Sequence, residues 1–252
     1  MLKIRVMPTL LYKDFGLVKG VGFDSWRRIG SAMQAVKVYN LREVDELVFL
    51  DITASREGRP PDFGTVDELA DECFMPLAVG GGIRTLEHVQ RLLQVGADKV
   101  VVNTAAVESP DFVRHIARRF GSQCVVVSID TRRHAHGAYE VYTHAGTTPT
   151  GKDPVAMARE AEAAGAGEIL ITSIDQDGTM KGYDVRLTRL VADAVTIPVI
   201  ASGGAGAYAH MAEVLSEGHS SAVAAASVFH FTHQTPAEAK RYLRDHGFVV
   251  RS

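Results

Sequence analysis

Only two cysteines, Cys73 and Cys124, occur in 252 residues, too few and too far apart for a disulfide framework or a metal-spaced cluster. No run approaches the roughly 18 consecutive apolar residues of a membrane-crossing helix. Positive charge is not in excess: 27 Lys and Arg stand against 30 Asp and Glu, with no basic block, so nothing draws the chain to nucleic acid or an anionic membrane. Lys3 and Arg5 break up the apolar N-terminus where a signal peptide would need its core, and a cytosolic location is expected. What is present is 46% hydrophobic side chains, enough for one sizeable core, so residues 1–252 are expected to form a single domain.

Short β-branched runs alternate with amphipathic stretches rich in Ala, Leu and Glu, the pattern of βα units around a parallel sheet. Eight runs are predicted as strands: Ile4–Leu10, Leu47–Asp51, Leu77–Gly80, Lys99–Asn103, Cys124–Asp130, Glu168–Ser173, Pro198–Ser202 and Ser221–Ala226. Helices are predicted between them, among others over Thr85–Gln94, Ser109–Phe120, Pro154–Ala164 and Ala207–Glu217. Eight such units fit a closed (β/α)8 barrel. Two connections exceed plain turns: a loop from Tyr12 to about Ser31, and Thr131–Gly151, where "AYEVYTHAG" alternates as a small hairpin would.

The chain also repeats itself. "PLAVGGGIRTLEHVQRLLQVGADKVVVNTAAV" parallels "PVIASGGAGAYAHMAEVLSEGHSSAVAAASVF", so that Gly80 maps to Gly203 and Thr104 to Ser227 at one offset of 123, and Glu46 to Glu168 at 122. Two half-barrels of four strands each are expected. In both halves a strand ends in glycines ahead of a helix, at Gly80, Gly81 and Gly82 and at Gly203, Gly204 and Gly206. The next strand of each half ends in a small polar turn, Asn103 and Thr104 in one and Ser227 in the other. Backbone N–H groups converging beside helix starts suit phosphate, and two such places suit a ligand with a phosphate at each end.

Asp130 ends the fifth run, where a carboxylate of a barrel faces the catalytic mouth. By the repeat, Leu11 stands where a facing carboxylate would be. Asp175 and Asp177 follow the sixth run, one a substrate-positioning candidate and the other a turn cap; Asp51 ends the second run. Lys19 in the first long loop either folds over a phosphate or is solvated. At the opposite face Arg5, Glu46, Lys99 and Glu168 begin four runs and can close a ring of ion pairs, as a structural plug or as something more. No metal site and no cofactor are expected.

"DELVFLDITAS", "VGGGIR", "GADKVVVNTAAVE", "FGSQCVVVSID", "GAGEILITSIDQDGT", "IASGGAG" and "AASVFHF" together resemble the cyclase subunits of imidazole glycerol phosphate synthase across essentially the whole chain. The resemblance implies that Gly82, Asn103, Thr104, Asp177, Gly178, Gly203 and Ser227 belong to the phosphate sites and that Asp130 serves catalysis; Gly81 and Gly204 join the phosphate candidates, and Asp177 and Lys19 the catalytic ones. It makes Arg5, Glu46, Lys99 and Glu168 a gate for ammonia from a glutaminase subunit, which docks over Asp98 and Gln123. Such cyclases carry an aspartate in a C-L-D-V-K motif on the first strand, where "TLLYKDFG" has Leu11, and Ala145 stands where a serine is expected. This first strand is similar to cyclase-like paralogues of surface-polysaccharide clusters, the WbuZ type, which are implied to work with a glutaminase in converting an N-acetyl sugar to an acetamidino sugar.

Three readings stay open. One is an ammonia-accepting synthase subunit that amidinates a sugar or another phosphorylated metabolite. The second is a histidine-pathway cyclase that tolerates Leu11, and the third a non-catalytic module that activates a glutaminase and conducts its ammonia. Neither cysteine lies in a G-x-C-x-G turn, so the chain itself is not expected to hydrolyse glutamine.

Overall fold

In the computed structural model, which describes residues 3–14, 16–42 and 44–251, eight parallel strands close into a barrel. The first half contains β1 (Arg5–Lys13), β2 (Gly16–Val21), β3 (Asp24–Gly30), α1 (Ala32–Leu41), β4 (Leu47–Asp51), α2 (Phe63–Glu72), β5 (Leu77–Gly80), α3 (Leu86–Gln94), β6 (Lys99–Val102), α4 (Thr104–Glu108) and α5 (Pro110–Phe120). The second contains β7 (Val125–Arg133), β8 (Tyr139–Thr143), β9 (Thr148–Pro149), α6 (Pro154–Ala164), β10 (Glu168–Ser173), α7 (Val185–Ala192), β11 (Val199–Ser202), α8 (Tyr208–Ser216), β12 (Ala222–Ala225), α9 (Ser227–Phe231) and α10 (Pro236–Asp245). Parallel pairing runs β1–β4–β5–β6–β7–β10–β11–β12 and returns to β1. This is a (β/α)8 barrel.

Local signals set the element limits. Helix α6 starts on Asp153, whose side chain accepts from the Ala156 N–H, has Pro154 in its first turn, and stops at Gly165 with φ of 99°, the common start and stop chemistry. Inside the barrel, Met7, Val48, Val101, Val126, Leu170 and Ile200 meet in one apolar layer. The alternate residues of the same strands, such as Leu10, Leu47, Val127 and Ile169, pack outward against the helices, as period-two strands require.

The first long connection differs from the expected loop. β1 runs on through Leu11 to Lys13 and turns back, pairing Leu11 with Val18 and Lys13 with Gly16, and β2 then pairs antiparallel with β3. Gly22 and Phe23, at φ of 61° and 63°, make the turn between them. Two left-handed residues in succession suit the twist of a hairpin, but an aromatic residue is an unusual choice there, so the sequence gives little warning of it. The second connection does hold the expected hairpin: Asp130 to Arg133 pair with Tyr142 to Tyr139. The following turn, between β8 and β9, is strained, with His144 and Ala145 at positive φ ahead of Gly146. Cys124, predicted inside a strand, lies instead in a short 3₁₀ turn at Ser122–Cys124, and the strand starts one residue later.

The β2–β3 hairpin is tied down over the barrel mouth. Gly22 N–H donates to the Asp177 carbonyl at 2.9 Å, and Gly178, at φ of 75°, is so close to the Gly20 carbonyl that any Cβ would collide with it. Gly178→Ala should therefore cost about 1–3 kcal/mol and loosen the hairpin. Limited proteolysis is expected to cleave that variant within residues 16–30 faster than the wild type; equal cleavage rates would contradict the tie.

Candidate functional site

Above the apolar layer the barrel opens into a cavity of about 1190 Å³, its open mouth included. Thr9, Leu11, Leu50, Asn103, Ser128, Asp130 and Thr172 line its floor and walls. Phe23 and Trp26 of the hairpin also line it, as do both glycine turns. Asp130 and Leu11 thus share one mouth, and the carboxylate on one side has no counterpart at Leu11.

Asp130 is 9% exposed and accepts a hydrogen bond from Ser128 Oγ at 3.2 Å. Burial pushes its carboxyl up from 3.8 to about 7, the hydrogen bonds from Ser128 and Thr172 oppose the rise, and the nearby Asp177 charge adds to it. A carboxyl poised near neutrality can give or take a proton. Asp177 is held differently: Lys19 Nζ donates to both of its oxygens, at 2.7 and 2.9 Å, with the lysine side chain 2% exposed. Lys19 is neither solvated nor extended over the mouth; it is one half of a buried ion pair joining hairpin to barrel. The other aspartates serve the scaffold. Asp175 accepts from Arg133 N–H at 2.8 Å, and Asp51 is engaged by Arg59 at 3.0 Å and by the N–H groups of Thr53 and Ala54.

The two glycine turns occupy equivalent positions in the two halves. Gly81, Gly82, Gly203 and Gly204 all have positive φ, and at Gly204 a Cβ would also strike the Gly182 carbonyl, so the loop must pass with bare backbone. Their polar companions differ. Asn103 Nδ2 donates to the carbonyls of Ser128 and Tyr142, at 3.1 and 3.3 Å, while Thr104 Oγ1 accepts from His144 N–H at 3.1 Å. In the second half Ser227, 5% exposed at the start of α9, has a buried Oγ with no partner among the described residues. An unmet buried hydroxyl beside a glycine turn is suited to a ligand oxygen. Gly178 lines the same cavity from the β10–α7 connection. Ser128, Thr172 and Thr9 were not singled out in the sequence, although the spacing of two from Asp130 for Ser128 and from Leu11 for Thr9 was an available signal; Thr172 comes to Asp130 only through the β7–β10 pairing.

At the barrel's other end the four charged residues close into one cycle. Arg5 contacts Glu46 at 2.6 Å and Glu168 at 3.0 Å; Lys99 contacts Glu46 at 2.8 Å and Glu168 at 3.2 Å. The attraction of both glutamates holds the Arg5 guanidinium more firmly protonated despite the opposing effect of burial. Asp98 and Gln123 are exposed in the connections that enter β6 and β7 from this face. Asp98 already accepts from Leu77 N–H at 2.8 Å, so only part of its carboxylate is open to a partner. Burial raises both cysteine thiols above their ordinary value, which disfavours the nucleophilic thiolate. Among the described residues no group of three His, Cys, Asp or Glu could hold a metal ion, and no helix is long and apolar enough to cross a membrane.

Because the folded carboxyl of Asp130 titrates near 7 and the unfolded one near 3.8, the folded state binds the extra proton between those values. Its contribution is fully present below about 4 and is lost as pH rises through about 7. Ionising it should cost at most about 4 kcal/mol. Asp130→Asn is expected to be more stable than wild type at pH 8 in denaturant titrations, with the margin shrinking towards pH 4. A margin that does not change with pH would contradict the assigned burial.

A protein-family model described as "Histidine biosynthesis protein" matches residues 5–235.

Proposed function

The chain belongs to that histidine biosynthesis family of barrel enzymes, and from this premise we propose that it is the ammonia-accepting, cyclase-like synthase subunit of a glutamine amidotransferase. Its acceptor is a phosphorylated small molecule, and its reaction is amidination of a sugar for surface polysaccharide. The carrying observation is the one-sided mouth: Asp130, raised to about 7 by burial, opens on the cavity that Leu11 also lines. Ring closure with two carboxylates needs one group to donate a proton while the other accepts, and losing either typically costs about 10²- to 10⁴-fold in rate. A single acid opposite a leucine favours delivery of nitrogen to one polar centre. Ala145, in the strained turn beside Thr104 and also lining the cavity, offers no hydroxyl there.

Asp130 is the proton-transfer group. Lys19 and Asp177, charge-paired and buried beside it, hold the hairpin shut and keep water from the reacting atoms. Gly81, Gly82, Asn103 and Thr104 hold one phosphate region, and Gly178, Gly203, Gly204 and Ser227 the other. Ammonia enters through Arg5, Glu46, Lys99 and Glu168. The layer of Met7, Val48, Leu170 and Ile200 above them admits neutral ammonia and opposes ammonium, since an unpaired ion in an apolar medium is costly. A glutaminase subunit docks over Asp98 and Gln123. The retained pair of phosphate turns favours a second reading, a histidine-pathway cyclase.

The chain alone should release no ammonia from glutamine; measurable turnover would remove the need for a partner. With a glutaminase subunit present, Lys99→Ala should leave glutamine consumption running while glutamine-dependent product falls, and added ammonium should still support the reaction. Lower thermal stability with coupling unchanged would make the ring a plug.

A further inference from the structure

The two glycine turns of the mouth do not carry the same charge. The offset of 123 that brings Gly80 onto Gly203 brings Arg84 onto Ala207, and the offset of 122 that brings Glu46 onto Glu168 brings Ser55 onto Asp177. The first turn therefore stands beside a guanidinium and a hydroxyl where the second stands beside a methyl group and a carboxylate. Ser55, Arg84 and Asp177 all line the cavity.

The charges of the cavity are met or muted everywhere but at Arg84. Its charged lining residues are Lys19, Asp51, Arg84, Asp130 and Asp177. Lys19 and Asp177 form an ion pair at 2.7 Å, and Asp51 is paired with Arg59 at 3.0 Å. Burial favours the neutral form of Asp130. Arg84 is exposed and forms no ion pair among the described residues. Its Nη2 donates to the Ser55 carbonyl at 2.9 Å, which holds the side chain against the first turn, where Gly82 N–H donates to Ser55 Oγ at 3.3 Å. One contact with a backbone carbonyl leaves the other guanidinium N–H groups, and the whole of the charge, for a ligand.

Two turns of equal charge would hold a two-ended ligand either way round. An unpaired guanidinium at one of them removes that equivalence, since it attracts a doubly charged oxyanion about twice as strongly as a singly charged one at the same distance. The second turn offers backbone N–H groups and the unmet Ser227 Oγ but no net charge. We propose that Arg84 makes the first glycine turn the seat of a doubly charged phosphate monoester and leaves the second to a phosphate with a single charge, as in a phosphodiester, so that a ligand with unlike ends is held in one orientation. The orientation rests on the reading of the mouth as two phosphate regions, and adds to it which end of the ligand each region takes.

Amide resonances report the turns separately, Gly81 and Gly82 for the first and Gly203 and Gly204 for the second. The probes are inorganic phosphate at pH 8, where it is mostly doubly charged, and dimethyl phosphate, which carries one charge, each titrated into wild type, Arg84→Gln and Arg84→Lys. In wild type the first turn should respond at a lower concentration of inorganic phosphate than the second, and dimethyl phosphate should show a smaller preference. Arg84→Gln should raise the first-turn midpoint for inorganic phosphate about 3- to 10-fold, the size of one charge-assisted contact at an exposed site. The second turn should not move, and Arg84→Lys should keep the first turn ahead. Equal midpoints in wild type, a second turn that fills first, an unchanged first turn in Arg84→Gln, or an Arg84→Lys that behaves like Arg84→Gln would overturn the assignment of Arg84 and leave the phosphate mouth standing. If neither turn responds to inorganic phosphate, the phosphate mouth falls and this inference with it.

Discussion

Alternation of side chains along eight closed parallel strands is the constraint on which the rest of this barrel depends. Each strand sends one column of residues inward. On β1 the column reads Arg5, Met7, Thr9, Leu11, and on β10 it reads Glu168, Leu170, Thr172. A charge at the bottom, an apolar side chain in the middle and a polar or functional group at the top recur because the columns share one closed register. The lower ion ring, the dry layer and the mouth are therefore successive levels of the same columns, and a one-residue slip on any strand would turn that column outward.

The mouth holds its chemistry at a cost to the fold. Burying Asp130 favours its neutral form, and burying Lys19 with Asp177 spends the attraction of two charges largely on their own desolvation. The second cost has a return in geometry: the ion pair fixes a two-stranded hairpin, exposed along most of β3, against the rim that Gly178 keeps open for it. The first leaves a carboxyl near neutrality inside a cavity walled by Phe23, Trp26 and Leu11. Removing the negative charge at Asp130 relieves the fold, whereas removing the Lys19 charge would leave Asp177 buried and unpaired, which is strongly unfavourable.

Most of the scaffold was readable before any coordinates, because its signals are local or repeated. The eight strands follow β-branched periodicity, and the glycine turns and the two lower glutamates recur at nearly one offset. The hairpin over the mouth was not readable, since its turn uses Gly22 and Phe23 rather than the usual Asn-Gly or Gly-Gly. Asp51 and Asp130 both end β-branched runs and look alike in sequence; what separates them is Arg59, which pairs with the first, and the burial of the second. Thr9 escaped notice because threonine is an ordinary strand former. Its Oγ1 stands without a hydrogen-bond partner among the described residues only once the barrel has closed.

The central claim is that the mouth has kept its phosphate places and lost one of two acids. Growth of a strain lacking the histidine cyclase, with each protein well expressed and ammonium supplied, tests it most directly. The wild-type chain should fail to restore growth, and Leu11→Asp, which returns a carboxylate to the mouth that holds Asp130, should restore it in part. Normal growth with the wild-type chain would contradict the account, because a leucine can neither donate nor accept the second proton.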